Sequence, residues 1–296
     1  MEQKTQSNRI AALLTCHNRR DKTLACLDAL TSQQQLDGAT LQVYLVDDGS
    51  TDGTAQAVKS NYPQVKLLHG DGNLYWCRSV HLAWAEALKH DYDYYLWLND
   101  DAKIYPHAVH MLLQTAKDVR QIDGRDSIIV GTVGSPDTGE PTYGGVVKVS
   151  KWRPLAGRIV QPADTPQRCD TFNGNCVLIP RDVALQVGNV STEFSHWFGD
   201  TDYGLRTRKK GFSIWVAPGF VGTCKPNPDG IKWADPNLPL RKRLKIFYSP
   251  KGLPPREWTI FIKRHAGLMW PYYWLNLHLR FLFPRFWMQL KKKFAR

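Results

Sequence analysis

Acidic residues in this chain gather where short apolar runs end. Asp47-Asp48 closes the run at residues 41–46, and Asn99-Asp100-Asp101 closes the run at 94–98. Two more polar groups keep the same phase. Thr15-Cys16-His17-Asn18-Arg19 ends the run at 10–15, and Gly70-Asp71-Gly72-Asn73-Leu74-Tyr75-Trp76 follows the run at 65–68. Paired carboxylates delivered by an apolar strand are costly unless a cation or hydrogen-bond donors compensate. A hard divalent ion, Mg2+ or Mn2+, is the natural cation, held by one or two carboxylates and by the phosphate oxygens of a substrate. Each Asp taken singly has a plainer explanation as a helix cap or a turn residue, and Asp52 fits it. Four clusters in phase with the runs fit it less well.

The elements that must position these groups follow from the periodicity. Continuous apolar runs at residues 10–15, 41–46, 65–68, 94–98 and 128–133 read as strands buried on both faces. Helical composition fills residues 22–34, 54–60, 79–89 and 107–119 between them. The alternation predicts βαβ units and a mainly parallel sheet, whose ligands bind at the carboxyl ends of the strands. Residues 135–166, rich in Gly, Pro and Thr, predict hairpins and loops; a second ordered stretch spans 171–218, and a Pro-rich passage spans 225–239. No internal repeat or flexible linker interrupts residues 1–240, which read as one α/β domain with residues 241–296 appended.

Thr15-x-x-Asn18, Val46-Asp47-Asp48-Gly49-Ser50-Thr51-Asp52-Gly53, Gly72-Asn73 and Asn99-Asp100-Asp101 resemble, in order, the signatures of family 2 glycosyltransferases with the GT-A fold. The resemblance continues through Gly174-Asn175 and the run Trp197-Phe198-Gly199-Asp200-Thr201-Asp202-Tyr203-Gly204-Leu205-Arg206. It implies an inverting transfer from a nucleotide-diphosphate sugar, UDP- or dTDP-linked, assisted by Mn2+ or Mg2+. On the donor side it implies Thr15, Asn18, Asp48, Asn73, Trp76, Arg78 and Asp100, with Asp48 facing the base and Asp100 near the ribose. A carboxylate suits the first of these roles because it accepts a hydrogen bond from a pyrimidine ring N–H. Asp101 is the implied metal ligand and Asp200 the implied catalytic base. Trp197 and Asp202 are placed on the acceptor side, and Arg206 orients carboxylates or meets phosphate. The structural alternatives are a surface role for Arg78, a helix cap for one of Asp200 and Asp202, and core packing for the tryptophans. Two departures stand out. Cys77-Arg78-Ser79-Val80-His81 replaces a Gly/Asn-bearing stretch, and Cys224, a soft ligand, stands about where metal-dependent relatives have His. The ion is then expected to rest on Asp101 and the diphosphate, with low affinity.

The net charge of +12 is unevenly placed. Residues 241–296 hold 14 Lys and Arg against Glu257 alone, a net of +13, whereas the other 240 residues have 25 basic and 26 acidic groups. The same segment holds 13 of the 34 aromatic residues. After Pro284 a helix would align Phe283, Phe286, Trp287, Leu290 and Phe294 opposite Arg285, Lys292 and Arg296, as an interfacial helix on anionic lipid requires. Packing on the body or on a second subunit is the alternative. The apolar stripe argues against nucleic acid as partner. No uncharged apolar run reaches the length of a membrane span, and no secretory leader is evident. Six scattered cysteines without a C-x-x-C pair read as reduced thiols of a cytosolic protein.

The family resemblance implies a transferase that extends a lipid-linked glycan for a bacterial-type cell-surface polysaccharide, and the basic aromatic segment adds the expectation of a peripheral position on the cytoplasmic face of the cell membrane. A nucleotidyltransferase is the enzyme alternative, but its phosphate loop would be Gly-rich, and Thr15-Cys16-His17-Asn18-Arg19-Arg20 has no glycine. A non-catalytic scaffold or partner subunit is the alternative of another class. Such a scaffold has no need of Asp48, Asp101 and Asp200 together.

Overall fold

The apolar runs become strands, and alternate side chains of each strand enter opposite layers. The computed structural model describes residues 7–150, 155–226, 232–287 and 289. Its first half runs β1 (Arg9–Cys16), α1 (Arg20–Thr31), β2 (Thr40–Asp47), α2 (Thr54–Asn61), β3 (Lys66–His69), α3 (Tyr75–Ala87) and β4 (Tyr94–Leu98). Next come β5 (Lys103–Ile104), α4 (Ala108–Asp123), β6 (Ile128–Val130) and β7 (Val133–Gly134). Short strands follow, as the Gly/Pro-rich composition predicts: β8 (Pro141–Tyr143), β9 (Gly145–Lys148), β10 (Gly157–Ile159), β11 (Gln167–Arg168) and β12 (Thr171–Phe172). The body then runs through β13 (Cys176–Pro180), α5 (Arg181–Val187), α6 (Gly199–Lys209), β14 (Ile214–Val216) and β15 (Gly222–Thr223). The described residues continue through α7 (Leu240–Tyr248), α8 (Pro255–His265) and α9 (Trp270–Leu282).

Eight strands form the central sheet in the order β11-β14-β6-β13-β4-β1-β2-β3. β1 pairs in parallel with both β2 and β4, so the strand order reverses beside it and opens a crevice at the carboxyl ends. β13 runs antiparallel between β4 and β6, with Cys176 opposite Leu98. That direction sets the residues before β13, Gly174-Asn175, beside the residues after β4, and Asn99 N–H donates to Asn175 O at 3.0 Å. Antiparallel pairing of β15 with β5 brings the chain after Thr223 to the same rim.

Leu13, Val46, Trp97, Val130, Ile179 and Val216 face one layer with α3, α5 and α6. Leu14, Leu45, Leu96, Ile129 and Leu178 face the other layer with α1, α2 and α4. Phe261, Ile262 and Ala266 of α8 belong to the first of these layers, so residues beyond 240 contribute to the main core. A smaller cluster, Trp233, Phe247, Leu277 and Phe281, joins α7 to α9.

One difference from the sequence reading has a local cause. α3 starts at Tyr75 rather than 79, because Asp48 accepts hydrogen bonds from the amides of Gly72, Leu74 and Tyr75 and fixes the first turn. The uncharged run at 265–279 holds α9, since Pro271 sits in the first turn, where its missing N–H has no helical partner to lose. Of the stripe expected after Pro284, residues 284–287 are helical. Leu290, Lys292, Phe294 and Arg296 lie outside the described residues.

Candidate active site

Four loops meet at the carboxyl ends of β1, β2, β3 and β4, tied to one another by side chains. Asn18 adopts a left-handed backbone (φ 51°), and its Oδ1 accepts from Thr51 N–H at 2.8 Å, joining the first loop to the second. His17 Nδ1 lies 2.6 Å from Asp48 O and adds a second tie. Asp52 receives the amides of both Thr54 and Arg20, capping two helices at once. Close backbone approach joins the second loop to the third: a Cβ on Gly70 would lie 2.5 Å from Asp48 Oδ1, and one on Gly49 would lie 2.9 Å from Gly72 N. Gly70 must be glycine for this reason, and Gly49 for a second one as well, its left-handed backbone at φ 69°.

Asp48 is 4% exposed, and both its oxygens receive amides of the 72–75 turn, at 2.8 Å from Gly72 and 2.9 Å from Tyr75. Its carboxylate thereby ties the end of β2 to the turn that opens α3. Thr15 ends β1 partly exposed, and Asn73 is exposed at the tip of the turn.

The Asn99-Asp100-Asp101 group has a partner that the sequence reading left without a role. Arg19 Nη1 lies 3.0 Å from Asp100 Oδ1 and 2.9 Å from Asp101 Oδ2. Asp100 is almost buried and also accepts from Thr23 Oγ1 at 3.3 Å. Burial raises its pKa to about 6 against the pull of Arg19. The Asp101 side chain is 24% exposed, and Cys224 Sγ lies 3.6 Å from its Oδ1. Burial and Asp101 push the Cys224 thiol up to about 12, so at neutral pH it is protonated and points its weak donor at Asp101.

The donor set limits how a divalent ion could bind. Among the described residues, no group of three or more His, Cys, Asp or Glu is placed to hold a metal. Asp101 is the accessible hard-oxygen donor, its neighbour Asp100 is engaged by Arg19 and Thr23, and sulfur is a poor partner for Mg2+ or Mn2+. These residues fit an ion completed by substrate phosphate oxygens; they do not form an all-protein cage.

Asp200 sits in the first turn of α6, after Phe198 with a left-handed backbone (φ 72°). Its Oδ2 accepts from Gly174 N–H at 3.0 Å and its Oδ1 from Thr201 N–H at 2.6 Å. Burial pushes its pKa up despite these amides. A Cβ on Gly174 would lie 2.7 Å from the Trp76 ring and 3.3 Å from Asp200 Cβ, so the indole and the carboxylate meet over this glycine. Trp76 Nε1 in turn donates to Asn99 Oδ1 at 2.8 Å. One chain of contacts therefore runs from Asp200 through Gly174 and Trp76 to Asn99, next to Asp100 and Asp101.

Two expected residues lie elsewhere. Asp202, placed on the acceptor side by the sequence reading, is fully buried, with Arg206, Arg264 and His265 each 2.8 Å from its carboxylate. No acceptor can reach it there; it pins α6 to α8, while Arg206, one turn on in α6, donates to Asp202 and to Val187 O and Asn189 O. Arg78 is exposed on α3, with Nε 3.4 Å from Thr192 O, apart from the strand-end carboxylates. Trp197 remains accessible at 36% exposure, and its ring meets His196 edge-on at 5.2 Å. Arg19 and His196 were the omissions. Arg19 stood within the first cluster, but its partners follow a different strand; nothing in the sequence marked His196.

Known proteins place this arrangement. Residues 12–183 match the sequence profile of Glycosyl transferase family 2. N-acetylglucosaminyl-diphospho-decaprenol L-rhamnosyltransferase of Mycobacterium tuberculosis is 27% identical over 246 residues, covering 74% of this chain and 80% of that protein. Among solved structures, mannosyltransferase PcManGT from Pyrobaculum calidifontis, in complex with GDP-Man and Mn2+, superposes with a TM-score of 0.54 at 18% identity. That match covers 88% of this chain and 65% of the mannosyltransferase, under two thirds of its length. S. aureus TarS 1-349 also gives a TM-score of 0.54, at 13% identity, over 88% of this chain and 72% of that one. At such identities the structural likeness speaks to fold alone, and the fold is GT-A. With the profile matching more than half of its length, this chain belongs to glycosyl transferase family 2.

Proposed function

We propose that this glycosyltransferase moves a sugar, with inversion, from a UDP- or dTDP-linked donor to a hydroxyl of a lipid-linked glycan during cell-surface polysaccharide synthesis. The observation that carries the reading is the setting of Asp200, a carboxylate of raised pKa that accepts from Gly174 N–H at 3.0 Å beside the glycine on which the Trp76 ring also rests. Asp200 takes the acceptor hydroxyl proton as that oxygen attacks the anomeric carbon from the face opposite the departing diphosphate. A raised pKa suits a base that must accept a proton near neutral pH. Trp76 and Trp197 offer ring faces to the sugars on either side of the reacting bond.

The donor nucleotide lies along the loops that carry Thr15, Asn18 and Asn73, over the wall that Asp48 holds in place. Asp101 would hold Mn2+ or Mg2+ together with diphosphate oxygens, and the bound ion would supply Lewis-acid stabilisation of the leaving diphosphate. Arg19 adds fixed positive charge beside the same position. The name of the mycobacterial relative, an L-rhamnosyltransferase acting on a decaprenol-linked sugar, supports a deoxyhexose donor and a lipid-linked acceptor here. The basic segment 241–296 supports a peripheral position on the cytoplasmic face of the membrane.

Asp200→Asn is the direct test. Transfer is expected to fall about a thousandfold in kcat, with donor Kd by calorimetry unchanged within about twofold. Retained transfer overturns the base assignment.

A further inference from the structure

α9 is apolar on two opposite faces, and the fold covers one of them. Leu277 and Phe281 are buried against Trp233 and Phe247. Tyr272, Leu275, Leu279 and Leu282 lie within an arc of about 80° on the other side. They are 56%, 52%, 42% and 59% exposed. Leu268, in the 3-10 turn just before the helix, is also bare, at 99% exposure. A helix apolar all round is normally buried all round. Large side chains at a spacing of three to four residues form a continuous patch, not scattered surface residues.

The charge around this stripe selects the occupant. From Trp258 to the C-terminus the sequence contains no Asp or Glu. The nearest acid, Glu257, is buried and accepts from Ser195 N–H and Oγ. Lys263 and Arg285 are exposed, while Arg280 is half-buried on the flank of α9. Long basic side chains beside an apolar stripe reach phosphate headgroups while the leucines enter the acyl boundary. A second copy of this face would bring the same positive charge against itself.

We propose that the Leu268–Leu282 face of the α9 region docks on a bilayer of anionic lipid. The inference deepens the peripheral placement proposed above and rests on it. It also moves the contact from the stripe expected after Pro284 to one that begins some fifteen residues earlier. α8, between the body and α9, holds the 189–198 loop through Glu257 and the start of α6 through Arg264 and His265. A docked α9 would therefore hold the acceptor side of the site near the membrane surface.

The test is co-sedimentation of the full chain with phosphatidylglycerol and with phosphatidylcholine vesicles, with neither donor nor acceptor present. Binding to phosphatidylglycerol is expected to be at least tenfold tighter and to weaken with salt. The double variant Leu275→Ser/Leu279→Ser is expected to lose at least tenfold in binding while keeping its circular dichroism and Tm. Wild-type chain that ignores both vesicles, or a variant that binds as well as wild type, overturns the proposal. So does a wild-type dimer, seen by light scattering, that the variant converts to monomer without affecting vesicle binding. Vesicle binding without sugar transfer would sink the transferase reading alone; transfer without vesicle binding would sink this one alone.

Discussion

Asp101 is held from two sides, by Arg19 at 2.9 Å and by the Cys224 thiol at 3.6 Å. Arg19 keeps the aspartate pair compensated in the absence of an ion, which resolves the cost of ending an apolar strand in two carboxylates. An ion that joins Asp101 must share the carboxylate with Arg19, so donor binding and ion binding should depend on each other. Loss of groups that merely orient metal ligands lowers affinity roughly 10–100-fold. Asp101→Ala is therefore expected to weaken donor binding in Mn2+ at least tenfold, and to leave the weaker binding without Mn2+ little changed. Calorimetry with and without Mn2+ measures both, and equal donor affinity for wild type and variant in Mn2+ would end the assignment of Asp101. The positions of Asp101 at the end of β4 and of Asp200 at the start of α6 were legible in the sequence because each follows a local pattern. Asp202 was misread because its partners Arg264 and His265 lie more than sixty residues away.

At the scale of elements, the loop from Asn189 to Phe198 matters as much as the strands. It leads directly into Asp200, yet it is irregular and depends on neighbours for its shape. Glu257 of α8 supplies the main anchor, accepting from Ser195 Oγ at 2.7 Å and Ser195 N–H at 3.1 Å. Cys77 N–H donates to Ser195 O at 2.9 Å and ties the same residue to α3. Glu257→Ala leaves two buried donors without an acceptor, which costs about 2–3 kcal/mol. The expected result is a lower Tm and a reduced kcat, with donor Kd little changed because the donor loops lie on other elements. Glu257→Gln, which keeps one acceptor oxygen, should restore part of kcat. A Glu257→Ala enzyme with wild-type kcat would show that the loop holds its shape without α8. The helices and parallel strands of the first 130 residues were readable from period alone. The antiparallel insertion of β13 was not, since a short buried run has the same appearance in either direction.

At the scale of the whole molecule, His196 and Asp202 each contribute stability that acid removes, in two separate pH windows. Burial, then Lys251 and Arg19, lower the His196 pKa from 6.5 to about 4. Between these values the unfolded chain takes up a proton that the folded chain refuses, so this contribution to stability declines as pH drops from about 6.5 to 4. The shift corresponds to about 3 kcal/mol. Asp202 behaves as the depressed-carboxylate case. Burial alone would raise its pKa, but His265, Arg206 and Arg264 hold it at about 2. Its contribution is complete above the unfolded value of 3.8 and is lost as pH falls from there toward 2. Asp100, raised to about 6, opposes this first window, because between about 6 and 3.8 its folded form takes up a proton that the unfolded chain does not. The histidine contribution is therefore read as the urea midpoint of wild type minus that of His196→Asn, which should shrink as pH falls from about 7 to 4. A difference that does not change with pH rules out His196 as the responsible group, and a second limb, a drop below about pH 4, should appear in both proteins. The second limb reports on the α6–α8 joint, through which residues beyond 240 are fastened to the catalytic body.

By itself the sequence determined the layers and the strand ends, because apolar period and turn chemistry are local and survive without knowledge of the partners. It placed the paired carboxylates at those ends and the excess charge in the last 56 residues. Tertiary structure alone decided which groups meet: Arg19 on Asp100 and Asp101, Trp76 and Asp200 over Gly174, and Asp202 withdrawn into a buried joint. It also decided which side of α9 remains bare. The physical reason is the same in each case. Pairing across strands and packing between layers join residues that are tens to hundreds of positions apart, and no local pattern encodes the partner's identity.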